Sequence, residues 1–345
     1  MIIDLKETAL RCVHKAEQTI DFGHYSGLLL LHGLARWGVL CDDKALVERA
    51  RQHLQPFVRG EKDFYANFKN YYCGGNAAAY LLAEGQLPEV EEDVRRYAEE
   101  LMTEAPRDSE GIFSHPRFPG EERIWIDVAF AVTPFLLYAG RHFDEEKYIE
   151  EAWQQTAKMV RVFRNEETGL LHQSRNFRGK GHMSEDHWGR GNGWGIFALT
   201  ELVNGLAKDD PRRPEAEGMF TDLCRSCLRV QDCDGMFHQE LTDHDSYVET
   251  SGTGLILYAF GVGIGKGLLD ERFREALEKG IRASLSYIGV DGSVHNTCPG
   301  CLCPGDGTKE DYKRKAPVLN DTHAFGSPIF SMGQAVALGI ENIEI

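Results

Sequence analysis

The sequence predicts an all-α protein with the architecture of an (α/α)6 barrel, in which six outer helices surround six inner ones. Two observations predict this fold. Two kinds of helical segment alternate along the 345 residues, and the kind that is poor in charge recurs six times. Helices that are apolar on all sides are buried and amphipathic ones face water, so the alternation indicates two layers. Six pairs suit a closed ring, and the alternative is an open helical solenoid.

The outer helices are indicated by amphipathic segments, with apolar residues at i, i+3, i+4 and i+7 and charged residues between them. The inner helices are indicated by segments rich in small residues, nearly all of which end close to a glycine, a good C-terminal stop. The amphipathic segments are 46–58, 90–102, 148–163 and 273–288. The small-residue segments are 25–38, 74–85, 127–140, 191–205, 250–265 and 326–339. We expect a single barrel domain over 1–345.

The net charge of −16 argues against nucleic acid and anionic membranes as partners, because both require a basic surface. No apolar run approaches the roughly 18 residues that a membrane span needs. The N-terminal segment lacks the basic start and the apolar stretch of a signal peptide, so we expect a cytoplasmic protein. The glycine spacing does not match GxGxxG, and there is no P-loop or HExxH, so we expect no cofactor.

The nine cysteines are expected to be mostly buried thiols. One cluster, "HNTCPGCLCPG", combines His295 with Cys298, Cys301 and Cys303, and a CxxC pair with a nearby histidine can hold zinc. A structural zinc site usually takes its other ligands from a second pair near the first, and the other CxxC of the sequence, Cys224 to Cys227, lies far upstream in the chain. We therefore expect a tight Pro/Gly loop and no metal.

A second repeat lies in the connections between outer and inner helices. The segments "EGIFSH", "TGLLHQ", "DGMFHQ" and "DGSVHN" each contain a glycine, two or three mostly apolar residues and a histidine. Equivalent positions would place His115, His172, His238 and His295 near one mouth of the barrel, which favours a shared polar funnel. The alternative is that each histidine only ties its own turn to a backbone carbonyl.

Asp127 begins the third inner segment, between Trp125 and Phe130. Desolvation among aromatic rings raises the pKa of a carboxyl group, which can then donate a proton. The alternative is that Asp127 simply caps its helix. Further polar residues precede the fifth and sixth inner segments: His238, Glu249, Tyr312 and His323.

The stretch "HWGRGNGW" leads into the fourth inner segment. Trp188 and Trp194 suit stacking on a sugar ring, and Arg190 suits a carboxylate held by two parallel hydrogen bonds. The glycines allow the backbone to come close to a ligand. Together these residues favour an acidic-sugar site, and the alternative is a glycine-rich turn with core tryptophans.

Five segments resemble, in this order, the unsaturated rhamnogalacturonyl hydrolases of glycoside hydrolase family 105, which are related to the unsaturated glucuronyl hydrolases of family 88. They are "WIDVAFAVTPFL", "TGLLHQ", "WGRGNGW", "DGMFHQELTDHDSYVETSGTG" and "NDTHAFGSPIF". The resemblance runs from about Asn70 to the C-terminus and implies an (α/α)6 barrel. It also implies removal of a 4,5-unsaturated uronic acid from the non-reducing end of lyase-generated oligosaccharides. A proton adds to C4 of the vinyl ether, water adds at C5, and the hemiketal opens to release the next sugar.

The resemblance implies that Asp127 protonates C4 and then acts as the base toward water. It implies that His172 and Arg190 line the substrate pocket and that Trp188 and Trp194 form its aromatic wall. The candidate substrate contacts are Asn70, His115, Trp125, His172, Trp188, Arg190, Trp194, His238, Tyr312 and His323. Asn70 departs from the family, because many relatives carry an aspartate there. An amide cannot share a proton, so this position leaves the exact sugar open.

Two other functional classes fit the same scaffold. A sugar epimerase or isomerase would use histidines as acid and base, and substitution of His172, His238 and His295 would harm it more than loss of Asp127. A non-catalytic protein that binds acidic glycans would use the two tryptophans as a platform and would bind saturated and unsaturated chains alike.

Overall fold

A computed structural model describes residues 1–62, 75–118, 120–300 and 308–345. Within these ranges the predicted alternation is confirmed. The outer helices are α1 Leu5–Thr19, α3 Lys44–Val58, α5 Glu91–Glu104, α7 Glu146–Phe163, α9 Arg213–Leu228 and α11 Glu271–Leu285. The inner helices are α2 Tyr25–Leu40, α4 Asn76–Ala83, α6 Asp127–Phe143, α8 Gly189–Gly205, α10 Thr250–Gly265 and α13 Gly326–Ala337. A short helix, α12 Lys309–Lys313, lies in the last connection.

The inner helices form a closed ring. Each packs on the next in the order α2, α4, α6, α8, α10 and α13, and α13 packs back on α2. Outer helices lie against this ring, as α7 does against α6 and α11 does against α10. The open solenoid is therefore excluded, and the (α/α)6 barrel is confirmed.

Burial follows the two helix types. In α10 every residue from Thr250 to Gly263 is buried, whereas α11 buries only one face, which includes Phe273, Leu277 and Ile281. Side-chain caps occur in both layers: Asp43 accepts hydrogen bonds from the N–H groups of Ala45 and Leu46 at the start of α3, and Glu249 caps α10. Such caps contribute about 1 kcal/mol each.

Within the described residues, three pairs of short antiparallel strands supplement the helices. The strands β1 Ile2–Asp4 and β6 Asn342–Glu344 join the two chain ends, and Ile3 pairs with Ile343. The pair β2 Ile124–Trp125 and β3 Ser174–Arg175 lies before α6 and α8, and the pair β4 Phe237–His238 and β5 Val248–Glu249 lies before α10. These two ribbons fix the connections at the end of the barrel where the inner helices begin.

The repeated glycines of the connections have a conformational reason. Gly111, Gly169, Gly235 and Gly292 have φ angles of 79°, 70°, 102° and 83°, in the region that side chains with a Cβ avoid. In each case the glycine N–H donates to a carbonyl three or four residues earlier. The repeat is therefore a tight turn that directs the chain from an outer helix back toward the barrel mouth.

No helix in the described part of the chain combines the length and apolarity needed to cross a membrane. Cys12, Cys224, Cys227 and Cys298 are buried as expected. Cys41 and Cys233 are exposed. Cys301 and Cys303 of the considered zinc cluster lie outside the described ranges.

Candidate active site

Asp127 is the first residue of α6, and although the residue is partly exposed, its Oδ2 is buried. Burial raises its pKa to about 7, although the positive charge of Arg190 and a side-chain hydrogen bond from Trp194 act in the opposite direction. Oδ2 has no hydrogen-bond partner among the described residues. The residue before the helix is Ile126, and no side chain caps the helix. Asp127 is therefore not a plain cap, and it can hold a proton near neutral pH.

Trp194 lies on α8 and is 1% exposed. Its ring stacks on Phe130 of α6, with the ring centroids 4.2 Å apart. Because its face is covered by protein, Trp194 does not present an open platform to a sugar. Its contact with Asp127 instead makes it a positioning residue for that carboxyl group.

Arg190 is also 1% exposed. Nη1 donates to Ser251 Oγ at 3.0 Å and to the carbonyl oxygen of Cys298, and Nη2 donates to the carbonyl oxygen of Pro299 at 2.8 Å. Glu249 Oε1 lies 3.7 Å from Nη1. Both terminal nitrogens thus already bind protein groups. Arg190 could form two parallel hydrogen bonds to a substrate carboxylate only if these hydrogen bonds to protein were broken.

The ring of Trp188 packs against the guanidinium group of Arg190. The guanidinium carbon lies 4.5 Å from the centre of the Trp188 ring, and Tyr312 packs against the same tryptophan at 5.7 Å between ring centroids. The cation–π contact is favourable when desolvated, and Trp188 is 1% exposed. Trp188 and Tyr312 therefore lie at the site, where they hold the arginine in place.

The glycines of this stretch serve helix packing rather than a ligand. A Cβ on Gly189 would lie 2.6 Å from the carbonyl oxygen of His238, and a Cβ on Gly252 would lie 2.5 Å from the carbonyl carbon of Gly189. These distances are too short for real contacts, so glycine is required for α8 to approach α10 and β4. This close approach brings Arg190 next to Glu249.

His323 precedes α13 and is 4% exposed. Its Nε2 pairs with the hydroxyl of Tyr25, and its Nδ1 lies 2.6 Å from Asp321 Oδ1. Burial, and then the charge of Arg190, lower the pKa of His323 to about 4. Tyr25 packs in turn against Phe130, which lies on the same helix as Asp127. His323 and Tyr25 are therefore connected to that helix through continuous contacts.

Two further predicted histidines lie in aromatic surroundings. His115 packs edge-on against Trp125, with ring centroids 4.2 Å apart, and burial lowers its pKa to about 4. The His172 ring lies 4.5 Å from that of His187. Burial lowers the pKa of both, to about 4 for His187. These imidazoles are therefore neutral at neutral pH and can donate or accept single hydrogen bonds.

The other repeat histidines have different surroundings. Nδ1 of His238 lies 2.5 Å from the carbonyl oxygen of Ser246, and its Nε2 lies 3.3 Å from Asp232 Oδ2. His295 is exposed. The four repeat histidines thus have four different sets of neighbours, and their shared feature is the turn. Asn70 lies outside the described ranges.

Sequence reasoning missed Tyr25, His187, Asp321 and Asp186. Asp186 is fully buried, and burial raises its pKa to about 7, with a further contribution from Glu240. A usable signal existed for Tyr25, because it opens an inner helix just as Asp127 does. The first residues of all inner helices share one end of the barrel, so each such position was a candidate.

Curated relatives and solved structures are similar to this chain. The unsaturated rhamnogalacturonyl hydrolase YesR of Bacillus subtilis is 28% identical over 230 residues, which is 65% of each chain. An unsaturated 3S-rhamnoglycuronyl hydrolase of Formosa agariphila is 28% identical over 181 residues, 49% of this chain and 48% of that protein. The match thus spans about half to two thirds of the length of these relatives.

One of these solved structures is a possible member of family GH105 from Salmonella enterica, with a TM-score of 0.83 at 19% sequence identity. The superposition covers 96% of this chain and 93% of that one, which supports the same fold. The model of Glycosyl Hydrolase Family 88 matches residues 6–336. The resemblance drawn from the five segments is therefore confirmed, and the chain belongs to glycosyl hydrolase family 88.

Proposed function

We propose that this protein is a glycosidase that removes a 4,5-unsaturated uronic acid from lyase-generated oligosaccharides, with Asp127 as its acid. Family membership and the activities named for the two curated relatives support this class. The observation that carries the proposal is the state of Asp127. Its pKa of about 7 keeps a large fraction protonated at neutral pH, and Oδ2 has no partner among the described residues.

In the proposed reaction, Asp127 transfers its proton to C4 of the vinyl ether, and positive charge develops at C5 and the ring oxygen. Water attacks C5 while the Asp127 carboxylate removes a proton from that water, which restores the acid. The hemiketal at C5 opens to a ketone, and the hemiacetal left at C1 expels the next sugar. One carboxyl group with a pKa near the working pH can act as acid and then as base.

The arginine has an electrostatic role in this proposal. Arg190 is held by Glu249 and two loop carbonyls, and its charge attracts the uronate and limits the rise of the Asp127 pKa. Neutral His323 and Tyr25 lie in the same contact network, and a hydrogen bond from His323 to a sugar hydroxyl would require it to exchange Tyr25 or Asp321 as a partner. The other candidate substrate contacts, including His172, Tyr312 and Asn70, stay predictions.

The test is a panel of unsaturated disaccharides from pectin, ulvan and glycosaminoglycan lyases, followed by the ultraviolet absorbance of the unsaturated uronate. We expect the band to disappear with at least one substrate, together with the release of a reducing sugar. An epimerase would leave the band and release no sugar, and a glycan-binding protein would bind saturated and unsaturated chains equally. Either result would overturn the proposal.

A further inference from the structure

The connection between α9 and α10 carries a cluster of three potential metal ligands: Asp232, His238 and His244. One donor atom from each side chain lies within 4.8 Å of the others. From this geometry we infer a binding site for one divalent transition-metal ion of the zinc type.

The proton positions on His238 favour a metal. His238 is 6% exposed, and its Nδ1 lies 2.5 Å from the carbonyl oxygen of Ser246. A carbonyl oxygen only accepts, so Nδ1 donates to it, which leaves Nε2 as the ring atom available to a metal. A histidine whose Nδ1–H donates to a carbonyl is the usual arrangement for a ring that ligates through Nε2.

The carboxylate is oriented in the same way. Oδ1 of Asp232 accepts the N–H of Cys233 at 2.7 Å, which directs Oδ2 toward His238. Oδ2 and Nε2 are 3.3 Å apart. A tetrahedral zinc ion with bonds of about 2.0 to 2.1 Å separates two of its ligand atoms by roughly 3.4 Å. The buried pair therefore has the spacing of two ligands on one ion.

His244 supplies the third ligand. Its ring centroid lies 5.1 Å from that of His238, and its side chain is exposed and can turn toward the ion. Water would complete the tetrahedron. An ion bound here would cross-link the two ends of 232–244, the segment that leads through β5 to Glu249. We therefore assign it a structural role in holding this connection.

The experiment uses the full chain, freed of metal with a chelator and titrated with Zn²⁺ by calorimetry and with Co²⁺ by visible absorption. We expect one Zn²⁺ per chain, a rise in melting temperature on binding, and the intense visible bands of tetrahedral Co²⁺. His244→Ala removes an exposed ligand without disturbing the core, and it should weaken binding by at least about tenfold.

Two controls make the result specific. His182→Ala removes an exposed histidine from another loop, and Cys233→Ser removes the exposed thiol beside Asp232. Both should leave the affinity unchanged. The inference is wrong if Zn²⁺ does not bind, if His244→Ala binds as tightly as the wild type, or if Cys233→Ser abolishes binding. In those cases His238 and Asp232 form only an ion pair, or the thiols hold the metal.

Discussion

Arg190 and Glu249 form a buried ion pair between α8 and α10, with Nη1 of the arginine 3.7 Å from Oε1 of the glutamate and both side chains 1% exposed. The glutamate also caps α10 through the N–H groups of Ser251 and Gly252 and accepts the N–H of Cys298 at 3.1 Å. One carboxylate thus orders a helix start, a loop and the arginine whose field acts on Asp127. The ion pair therefore connects the packing of α8 and α10 to the position of Arg190 near Asp127.

Glu249→Gln should move the pH dependence of the reaction. Without the glutamate charge, Arg190 acts more strongly on Asp127 and lowers its pKa, so the loss of activity at high pH should begin at lower pH. Stability should also fall by about 3 to 5 kcal/mol, because a buried charge loses its partner. Glu249→Asp, which keeps the charge, should restore the pH profile. If the pH profile of Glu249→Gln matched that of the wild type, the charge of Arg190 would not control the pKa of Asp127.

Asp127→Asn should reduce kcat by at least about a thousandfold, because an amide cannot transfer the proton to C4. Melting temperature and circular dichroism should show an intact fold. The matched control is Asp144→Asn at the opposite end of α6, where the residue is exposed and has a φ of 55° that asparagine tolerates. Full activity in Asp127→Asn would refute the assignment of the acid.

The rate should fall as pH rises through about 7, because the protonated form of Asp127 starts the reaction and burial raises its pKa to about 7. This limb should appear in kcat/KM, which reports the free enzyme. Asp186 has a similar pKa, so Asp186→Asn is the comparator. The limb should persist in Asp186→Asn. If it disappeared there, the limb would belong to Asp186 and not to Asp127.

Asp127→Asn should also stabilise the protein at high pH. The folded state holds the Asp127 proton more tightly than the unfolded state, so its contribution to stability is complete below a pH of about 4 and is lost as pH rises through 7. Asparagine does not titrate. The stability gained by the variant should therefore grow by about 2 to 3 kcal/mol between about pH 5 and about pH 8. Denaturant unfolding at both pH values measures this, and a constant difference would contradict the raised pKa.

Gly252→Ala should separate α8 from α10, because the added Cβ would lie 2.5 Å from the backbone of Gly189. We expect a loss of about 1 to 3 kcal/mol from overpacking and a loss of activity as Arg190 moves. Gly218→Ala on α9 is the control, since its Cβ meets nothing within 4 Å. It should gain about 0.5 to 1 kcal/mol from a helical glycine replaced by alanine. Equal effects in the two variants would contradict the packing argument.

The sequence located Asp127 correctly at the start of an inner helix, because helical periodicity and a carboxylate among aromatic residues are both local patterns. It assigned Trp188 and Trp194 to an open sugar platform, and here local pattern was insufficient. Their ring faces are covered by Arg190, Tyr312 and Phe130, and residues distant along the chain decide such contacts.

The repeat histidines show the same difference between what a local pattern predicts and what residues distant along the chain decide. The turn that they share was readable from sequence, since its glycine has a positive φ in all four copies. The orientation of each imidazole could not be read from the sequence, because it depends on neighbours such as Trp125, His187 and Asp232.

By itself, the sequence determined the alternation of buried and amphipathic helices, the closure suggested by six repeats, and the end of each inner helix at which polar residues collect. These properties follow from hydrophobic periodicity and glycine conformation, which act over a few residues. Only the tertiary structure decided that Arg190 is bound by protein groups, that His323 pairs with Tyr25, and that burial raises the pKa of Asp127 to about 7. Desolvation and charge depend on every group that surrounds an atom, and the closing of the ring brings those groups together.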